Sequence, residues 1–463
     1  MMKILVSDPL ADEGLKILKE EKQLEVEVKL KQSEDALKEI IKDYDALLVR
    51  SETKVTAAII EKAAKLKVIG RAGVGLDNVD VDAATKKGII VMNAPEGNTI
   101  STAEHTMCMI LALSRNIPQA NASLKQNEWN RKKFLGVEIY GKVLGIVGLG
   151  RIGREVAKRA LSFGMKVITF DPYLPEDKAK QLGVELVELK HLFKNADYIT
   201  LHVPLTDDTK NMISEKELGL MKKGVRIINC ARGGLIDENA LAKAIEAGIV
   251  YGAAIDVFEK EPPGDNPLLR LEKVIVTPHL GASTEEAQIN VSIDIARQVK
   301  DALLGGGIRN AVNFPCVEAQ LLNLLRPFIN LTEKLGALQT QISEGHIKEV
   351  KVRYVGDILG ADTQPLTVAL IKGMLTPILQ ETVNFVNAPL IAKERGIKIS
   401  ETKTAEAEDF ANLVSVEVIT DKSRNIVLGT LMANKFPRIV KINEFYVEVI
   451  PSGFMLLLHN LDK

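Results

Sequence analysis

The sequence predicts an α/β protein of two doubly wound parallel-sheet domains, followed by a C-terminal α+β domain. Three observations predict it. Short apolar runs alternate with amphipathic helical segments through roughly the first three hundred residues, as expected of parallel strands covered on both faces by helices. A glycine triplet, Gly148-Leu149-Gly150-Arg151-Ile152-Gly153, joins an apolar run to a helical pattern. After Gly305-Gly306-Gly307 the pattern changes to long helices and then alternating strands, which marks a linker and a new domain.

In the first domain the expected strands are residues 4–6, 46–49, 68–69 and 89–92. Between them lie helical segments 33–43, with Ser33 as N-cap, and 56–64. Ser101-Thr102-Ala103-Glu104 matches a capping box and opens an apolar helix running to about Leu113. A second α/β series starts near Gly141, with strands at 143–147, 166–170, 198–201, 225–229, 252–257 and 274–277. A helix from about Glu285 to Leu304 follows. Beyond the glycine linker, helices are expected near 321–338 and 365–386, and strands at 414–419, 426–432 and 445–450, with residues 421–425 in a hairpin loop.

Bulk properties exclude several classes. The 463 residues carry a net charge of −1, which gives no electrostatic footprint for nucleic acid or an anionic membrane. Cys108, Cys230 and Cys316 are too few and too scattered for a disulfide framework or a metal site. The opening MMKILVSDPL reads as a buried strand, without the basic stretch and cleavage site of a signal peptide, and no apolar run approaches the roughly 18 residues of a membrane span. The expectation is a soluble, cytoplasmic protein acting on a small molecule, with no metal.

The triplet has its full context. The strand 143–147 runs directly into it, Ile152, Val156 and Ala160 give the next helix its apolar stripe, and a second strand ends in Asp171. Gly148 permits a tight turn, Gly150 lets backbone approach a pyrophosphate, and Gly153 allows close packing of helix on strand. The helix N-terminus offers N–H groups to the phosphates. Asp171 can bond a ribose 2′-hydroxyl and would repel a 2′-phosphate. No Lys or Arg follows it before Lys178, so the cofactor expected is NAD rather than NADP.

Three ionisable residues follow later strands of the same series: Arg232 in NCARGG, Glu261 in DVFEKEPP and His279 in TPHLG. Ligands of open α/β sheets bind outside the carboxyl ends of strands, so the three converge on one cleft. Removing a hydride from a hydroxyl-bearing carbon requires removal of a proton from oxygen, and histidine supplies a base of suitable pKa. A carboxylate such as Glu261 orients the ring and stabilises the imidazolium. Arginine forks onto a substrate carboxylate.

Arg50 and Arg71 follow strands of the first domain, and Gly73 and Gly75 free backbone N–H groups beside Arg71. Two cationic side chains exceed what a small carboxylate needs beside Arg232, and they suit a terminal phosphate. The substrate expected is a phosphorylated hydroxy acid.

The segments 148–153, 229–237 (NCARGGLID), 256–263 (DVFEKEPP) and 278–284 (PHLGAST) resemble the signatures of the D-isomer-specific 2-hydroxyacid dehydrogenases. The resemblance covers essentially residues 1–315. It implies a flavodoxin-like substrate domain at 1–97 and 286–312, with a Rossmann NAD domain at 98–285 inserted into it. It makes His279 the acid/base, Glu261 its partner and Arg232 the ligand of the substrate carboxylate. It implies NAD contacts from Arg151, Ile152, Asp171, Cys230, Ala231, Arg232 and Asp256, whose carboxylate would meet the nicotinamide amide, and from His279, Gly281 and Ala282. Within the family it points to the branch that oxidises 3-phosphoglycerate on the route to serine, assembled as a homodimer or homotetramer. Arg131, Lys132 and Lys133 would add charge, or form a solvated loop. Residues 318–463 resemble the intervening domain of that branch, and 454–463 a strand leading into a serine-binding module that the chain does not continue into; serine feedback through it is then not expected. The intervening domain is either a subunit scaffold or an effector site built on Lys435, Arg438 and Lys441. Alternatives are a glyoxylate, hydroxypyruvate or lactate enzyme of the family, or an NAD-sensing corepressor of the same fold. Trp129, His105 and His346 are expected to be packing or surface residues.

Overall fold

The structure is a computed structural model that describes residues 1–316, 319–360, 362–379, 383–404 and 410–458. By backbone contacts it divides into two compact units, one of residues Met1–Ala94 with Ser292–Lys463 and one of residues Pro95–Val291. These boundaries fall a few residues from the expected 98 and 285.

The first unit holds two sheets. One is built of β1 (Met2–Val6), β2 (Leu24–Val28), β3 (Ala46–Val49), β4 (Val68–Arg71) and β5 (Ile90–Asn93), in the order β2-β1-β3-β4-β5. All its pairings are parallel, which is the flavodoxin-like order. β3 is buried at every position, so it reads as a continuous apolar run. β2 reads LEVEV and lies on the sheet edge; its alternating glutamates suit an edge, where charge discourages further pairing, and hide it from an apolar-run search. Ser33 does cap its helix, accepting a hydrogen bond from the Ala36 N–H. After the glycine linker, Asn313 pins the chain to β5: its side chain accepts from Val91 N at 2.9 Å and donates to Ile89 O at 2.9 Å.

The other sheet of this unit is mixed: β13 (Ile347–Gly356), β14 (Lys398–Thr404), β15 (Asn412–Thr420), β16 (Arg424–Met432), β17 (Phe436–Ile442) and β18 (Phe445–Val449), labelled after the seven strands of the second unit given below. Its order is β14-β13-β15-β16-β17-β18, antiparallel except for β13 with β14. Helices Ala319–Ile342 and Gln364–Leu375 pack Leu331, Leu335, Leu366 and Leu370 with Val352, Val414 and Val416 of the sheet. Several expectations are corrected here. β13, β14 and β17 carry too many charges to stand out as apolar runs. The expected helix 365–386 stops at Leu375, two residues before Pro377, and a separate helix covers Ala388–Glu394. The hairpin loop shrinks to residues 421–423, because Arg424 already pairs with Ile419. Residues 454–458 form no strand, and the remainder of that expected strand, 459–463, lies outside the described residues.

The second unit is one seven-stranded parallel sheet: β6 (Val143–Val147), β7 (Lys166–Phe170), β8 (Glu185–Leu186), β9 (Tyr198–Leu201), β10 (Val225–Asn229), β11 (Val250–Ile255) and β12 (Val274–Val276). The order is β12-β11-β10-β9-β6-β7-β8. From β6 the chain winds outward to β7 and β8, then returns to β9 on the other side. The crevice between the carboxyl ends of β6 and β9 is therefore the topological switch point, where doubly wound sheets bind ligands. The long helix of this unit runs Thr99–Arg115, so Ser101 is not its N-cap as the capping-box match suggested. The Ser101 hydroxyl instead bonds Thr284 Oγ1 at 2.8 Å: a tertiary partner takes the group that a cap would have used. Among the described residues no helix is long and apolar enough to cross a membrane.

Candidate active site

The glycine triplet lies at the switch point. Gly148 has φ +92°, and a β-carbon there would stand 2.5 Å from the His202 carbonyl oxygen at the end of β9. Only glycine fits both demands. A β-carbon on Gly153 would collide with the Gly148 carbonyl, so the helix Arg151–Ser162 can sit this close to the turn only with glycine there. Gly150 differs: nothing lies within 4 Å of its missing β-carbon. No protein neighbour requires it, and open space remains over the helix N-terminus. That helix has no side-chain cap and no acidic residue in its first turn, which leaves its N–H groups and positive dipole end for an anion. Arg151 is exposed beside this terminus, 3.6 Å from Glu96, and Ile152 is half-buried.

Asp171 follows β7. Its carboxylate accepts from Leu149 N at 2.8 Å and Tyr173 N at 2.9 Å. The first of these bonds ties it to the glycine turn, so the acid and the phosphate cradle form one rigid element. An open cradle, a free helix terminus and a fixed acid at the second strand's end fit a dinucleotide.

On the other side of the switch point, β10 leads into the loop that carries Cys230, Ala231 and Arg232. Asn229 closes this loop, accepting from Ala231 N at 3.0 Å and donating to Arg232 O at 2.8 Å. Gly233 lets the loop pack against the Phe258 carbonyl of the neighbouring loop. Cys230 is buried, and burial pushes its thiol far above the ordinary range, which rules it out as a thiolate nucleophile. Arg232 is half-buried, donates to Ala231 O at 2.7 Å, and is near enough to His279 for its charge to disfavour the imidazolium.

Glu261 and His279 meet. Oε2 of Glu261 lies 2.8 Å from Nδ1 of His279, while Oε1 accepts from Phe258 N at 3.2 Å. The bond to Glu261 raises the His279 pKa above its ordinary value against the opposing effect of burial. For Glu261 burial is the largest influence and works upward, but the bond from His279, the imidazolium charge and the Phe258 N–H together outweigh it and hold the carboxyl low. The His279 side chain is 48% exposed, so Nε2 remains available to a ligand. His279 has φ +54°, a left-handed conformation that costs a non-glycine residue about 1–2 kcal/mol.

Asp256 holds that conformation. Its main-chain oxygen accepts from His279 N at 2.9 Å. Its carboxylate accepts from Leu280 N at 2.7 Å, Gly281 N at 2.8 Å and Thr277 Oγ1 at 2.5 Å. His105 Nε2 adds a contact at 3.2 Å. Burial alone would raise this carboxyl's pKa, but the bonds from His105, Thr277 and Leu280 outweigh it and keep it below the usual range. Asp256 is fully buried, with 0% exposure, and spends its oxygens on the protein. Ala282 is half-buried at the end of this turn.

Four residues on the helix Thr99–Arg115 and its N-cap were not found from sequence as part of the site. His105, expected to be packing or surface, reaches Asp256. Asn98 Oδ1, Thr99 Oγ1 and Thr102 Oγ1 are buried polar atoms without partners among the described residues, and Thr102 packs on Gly281. Such orphaned atoms fit ligand groups. The signal lay in a polar stripe, 98, 101, 102 and 105, at helical spacing on an otherwise apolar helix.

In the first unit, Arg50 follows β3, and Arg71 ends β4 with Val49 as its register partner. The two arginines therefore stand at the carboxyl ends of adjacent strands. Asp8 shapes the Arg50 loop, accepting from Arg50 N at 2.6 Å and from Thr53 N and Oγ1. The Arg71 guanidinium lies over the α-carbon of Gly73, where a β-carbon would displace it. Lys133 pairs with Glu272 at 2.9 Å, while Arg131 and Lys132 are exposed. Arg438 lies 3.7 Å from Glu448, so the patch with Lys435 and Lys441 is partly neutralised. Among the described residues no cluster of His, Cys, Asp or Glu could hold a metal ion.

Comparison with known proteins agrees with this architecture. Residues 107–281 match the model of the D-isomer specific 2-hydroxyacid dehydrogenase NAD binding domain, and residues 324–443 that of the D-3-phosphoglycerate dehydrogenase intervening domain. The chain is 50% identical to D-3-phosphoglycerate dehydrogenase of Methanocaldococcus jannaschii, over 100% of this chain and 88% of that one. It is 47% identical to the enzyme of that name from Synechocystis, over 100% and 83%. Among solved structures, the NAD complex of a Staphylococcus aureus NAD-dependent formate dehydrogenase matches over 68% of this chain and 100% of its own, at 30% identity and a TM-score of 0.62. The chain belongs to the D-isomer-specific 2-hydroxyacid dehydrogenase family, in its D-3-phosphoglycerate dehydrogenase branch.

Proposed function

We propose that this protein oxidises D-3-phosphoglycerate to 3-phosphohydroxypyruvate with NAD, the first step of L-serine biosynthesis. The observation that carries the chemistry is the 2.8 Å bond between His279 Nδ1 and Glu261 Oε2. With Nδ1–H donated to Glu261, Nε2 is an acceptor and takes the proton of the substrate's 2-hydroxyl. Glu261 stabilises the imidazolium that results. NAD, when bound, supplies the hydride acceptor. Gly148, Gly150 and Gly153 with the helix N-terminus would hold its pyrophosphate, Arg151 and Ile152 would flank it, and Asp171 would bond the adenosine ribose. Cys230, Ala231, Gly281 and Ala282 would line the nicotinamide side, while Asp256, buried with its oxygens spent on Thr277, Leu280 and Gly281, would fix the turn behind it rather than meet the nicotinamide amide as expected. Arg232 forks onto the substrate carboxylate, while Arg50, Arg71 and the Gly73 backbone hold the phosphate.

Two sheets in the first unit, with separate cores, support treating 318–463 as a domain distinct from 1–97 and 286–312. Ile117, Leu124, Trp129, Leu135 and Tyr140 are large, apolar and exposed on the second unit, apolar surface suited to pairing with a second copy; a homodimer through the NAD domains is proposed. A cytoplasmic setting suits three free cysteines.

The testing variant is His279→Ala. It should cost at least about a thousandfold in kcat, with NADH binding by fluorescence titration within about threefold of the parent. A variant that turns over at a comparable rate contradicts the assignment.

A further inference from the structure

His105 stands outside the His279–Glu261 pair, its ring nitrogen directed at Asp256 and Thr277. It lies one helical turn beyond Ser101 and Thr102 on the helix Thr99–Arg115, and these three share a face. Together they clasp the turn that carries His279. Ser101 bonds Thr284 at 2.8 Å, Thr102 packs on Gly281, and His105 Nε2 reaches Asp256 Oδ1 at 3.2 Å and Thr277 Oγ1 at 3.3 Å. A carboxylate is acceptor only, so Nε2 carries the hydrogen toward it.

The turn needs holding. His279 sits at φ +54°, a conformation that persists only where surrounding bonds impose it. Asp256 supplies three of those bonds: its main-chain oxygen takes His279 N, which also reaches Thr277 O at 3.0 Å, and its carboxylate takes Leu280 N and Gly281 N. Among the described residues, the side-chain donors that orient the carboxylate are Thr277 and His105. His105 is 18% exposed at its side chain, so it is held within the fold rather than swinging in solvent.

We propose that His105 is a positioning residue for the oxidation: it anchors Asp256, and through Asp256 sets the 279–281 turn and the aim of the His279 ring. The inference rests on the proposed function. A misplacement near 1 Å at a catalytic group costs roughly a hundredfold in rate, so a loosened turn is felt in kcat more than in substrate affinity. It is also felt in the His279 titration. The charged groups facing that ring are Glu261, Asp256 and Arg232, and the Glu261 bond raises its pKa only while the ring is aligned.

The experiment compares His105→Gln, His105→Leu and Thr277→Val with the parent in NADH formation from D-3-phosphoglycerate across pH. Glutamine places an N–H close to the position of Nε2, whereas leucine has none. His105→Leu should lower kcat at least tenfold with KM within about threefold, and move the acid limb of kcat/KM to lower pH. His105→Gln should keep kcat within about threefold and leave the limb in place. Thr277→Val, nearly isosteric, removes the other anchor and should shift the limb in the same direction, so the test survives a leucine variant that does not fold. Parental kcat and limb in both His105→Leu and Thr277→Val overturn the proposal, as does a glutamine variant as impaired as the leucine one. A parent inactive on D-3-phosphoglycerate would instead contradict the substrate, a separate outcome.

Discussion

Glu261 Oε2 lies 2.8 Å from His279 Nδ1, and the imidazole's pKa is raised above 6.5 chiefly by that bond. Oxidation needs the neutral ring as base, so kcat/KM should fall as pH drops through the raised value. Glu261→Gln removes the charge, lowers that pKa and moves the acid limb to lower pH. At optimal pH kcat should drop about ten- to a hundredfold. A pH profile of kcat/KM checks both; an unmoved limb contradicts the pairing.

Arg50 and Arg71 end neighbouring strands, β3 and β4. A charge-assisted hydrogen bond contributes about 1.5–3 kcal/mol. Arg71→Ala should therefore raise KM for D-3-phosphoglycerate by about ten- to a hundredfold, and Arg50→Ala should act in the same direction. Slow turnover of D-glycerate, which lacks the phosphate, should change little. Equal losses on both substrates would place these arginines elsewhere in the chemistry.

The Asp171 carboxylate, oriented by Leu149 N and Tyr173 N, should set cofactor choice. Asp171→Ser removes the charge that repels a 2′-phosphate. The ratio of kcat/KM for NAD over NADP should fall at least tenfold. Because the carboxylate also braces the glycine turn, NAD affinity should weaken at the same time. Steady-state kinetics with both cofactors decides this.

His202 follows β9 against Gly148, with Nε2 3.1 Å from Thr200 Oγ1 and Nδ1 buried without a partner among the described residues. Burial pulls its pKa down from 6.5 to about 4. Below pH 6.5 the unfolded chain takes up a proton that the folded one refuses. Stability should then decline across the window from 6.5 to about 4, by up to about 3 kcal/mol from this group. His202→Leu should flatten that part of the curve. Urea midpoints at several pH values measure it, and an identical slope in the variant refutes the assignment.

Much of the second unit was legible because its strands are largely buried and read as mainly apolar runs; β6, β7, β9 and β10 match the expected bounds. Edge and half-exposed strands were not. β2 with its glutamates and β14 with KISETKT take their pairing from neighbours rather than from their own hydrophobicity. The local capping match at Ser101 lost to a tertiary contact with Thr284 for the same reason. In the site, motif residues after strand ends could be located one by one. The partners of Asp256 could not, because His105 and Thr277 are 172 positions apart in the chain and meet only when the helix packs on the sheet.

The most direct measurement is initial-rate NADH formation with D-3-phosphoglycerate, D-glycerate and D-lactate at equal concentrations. Arg50 and Arg71 as phosphate ligands, together with the His279–Glu261 dyad as acid/base, predict that kcat/KM for D-3-phosphoglycerate exceeds the others by at least a hundredfold. Turnover confined to the unphosphorylated acids would contradict it.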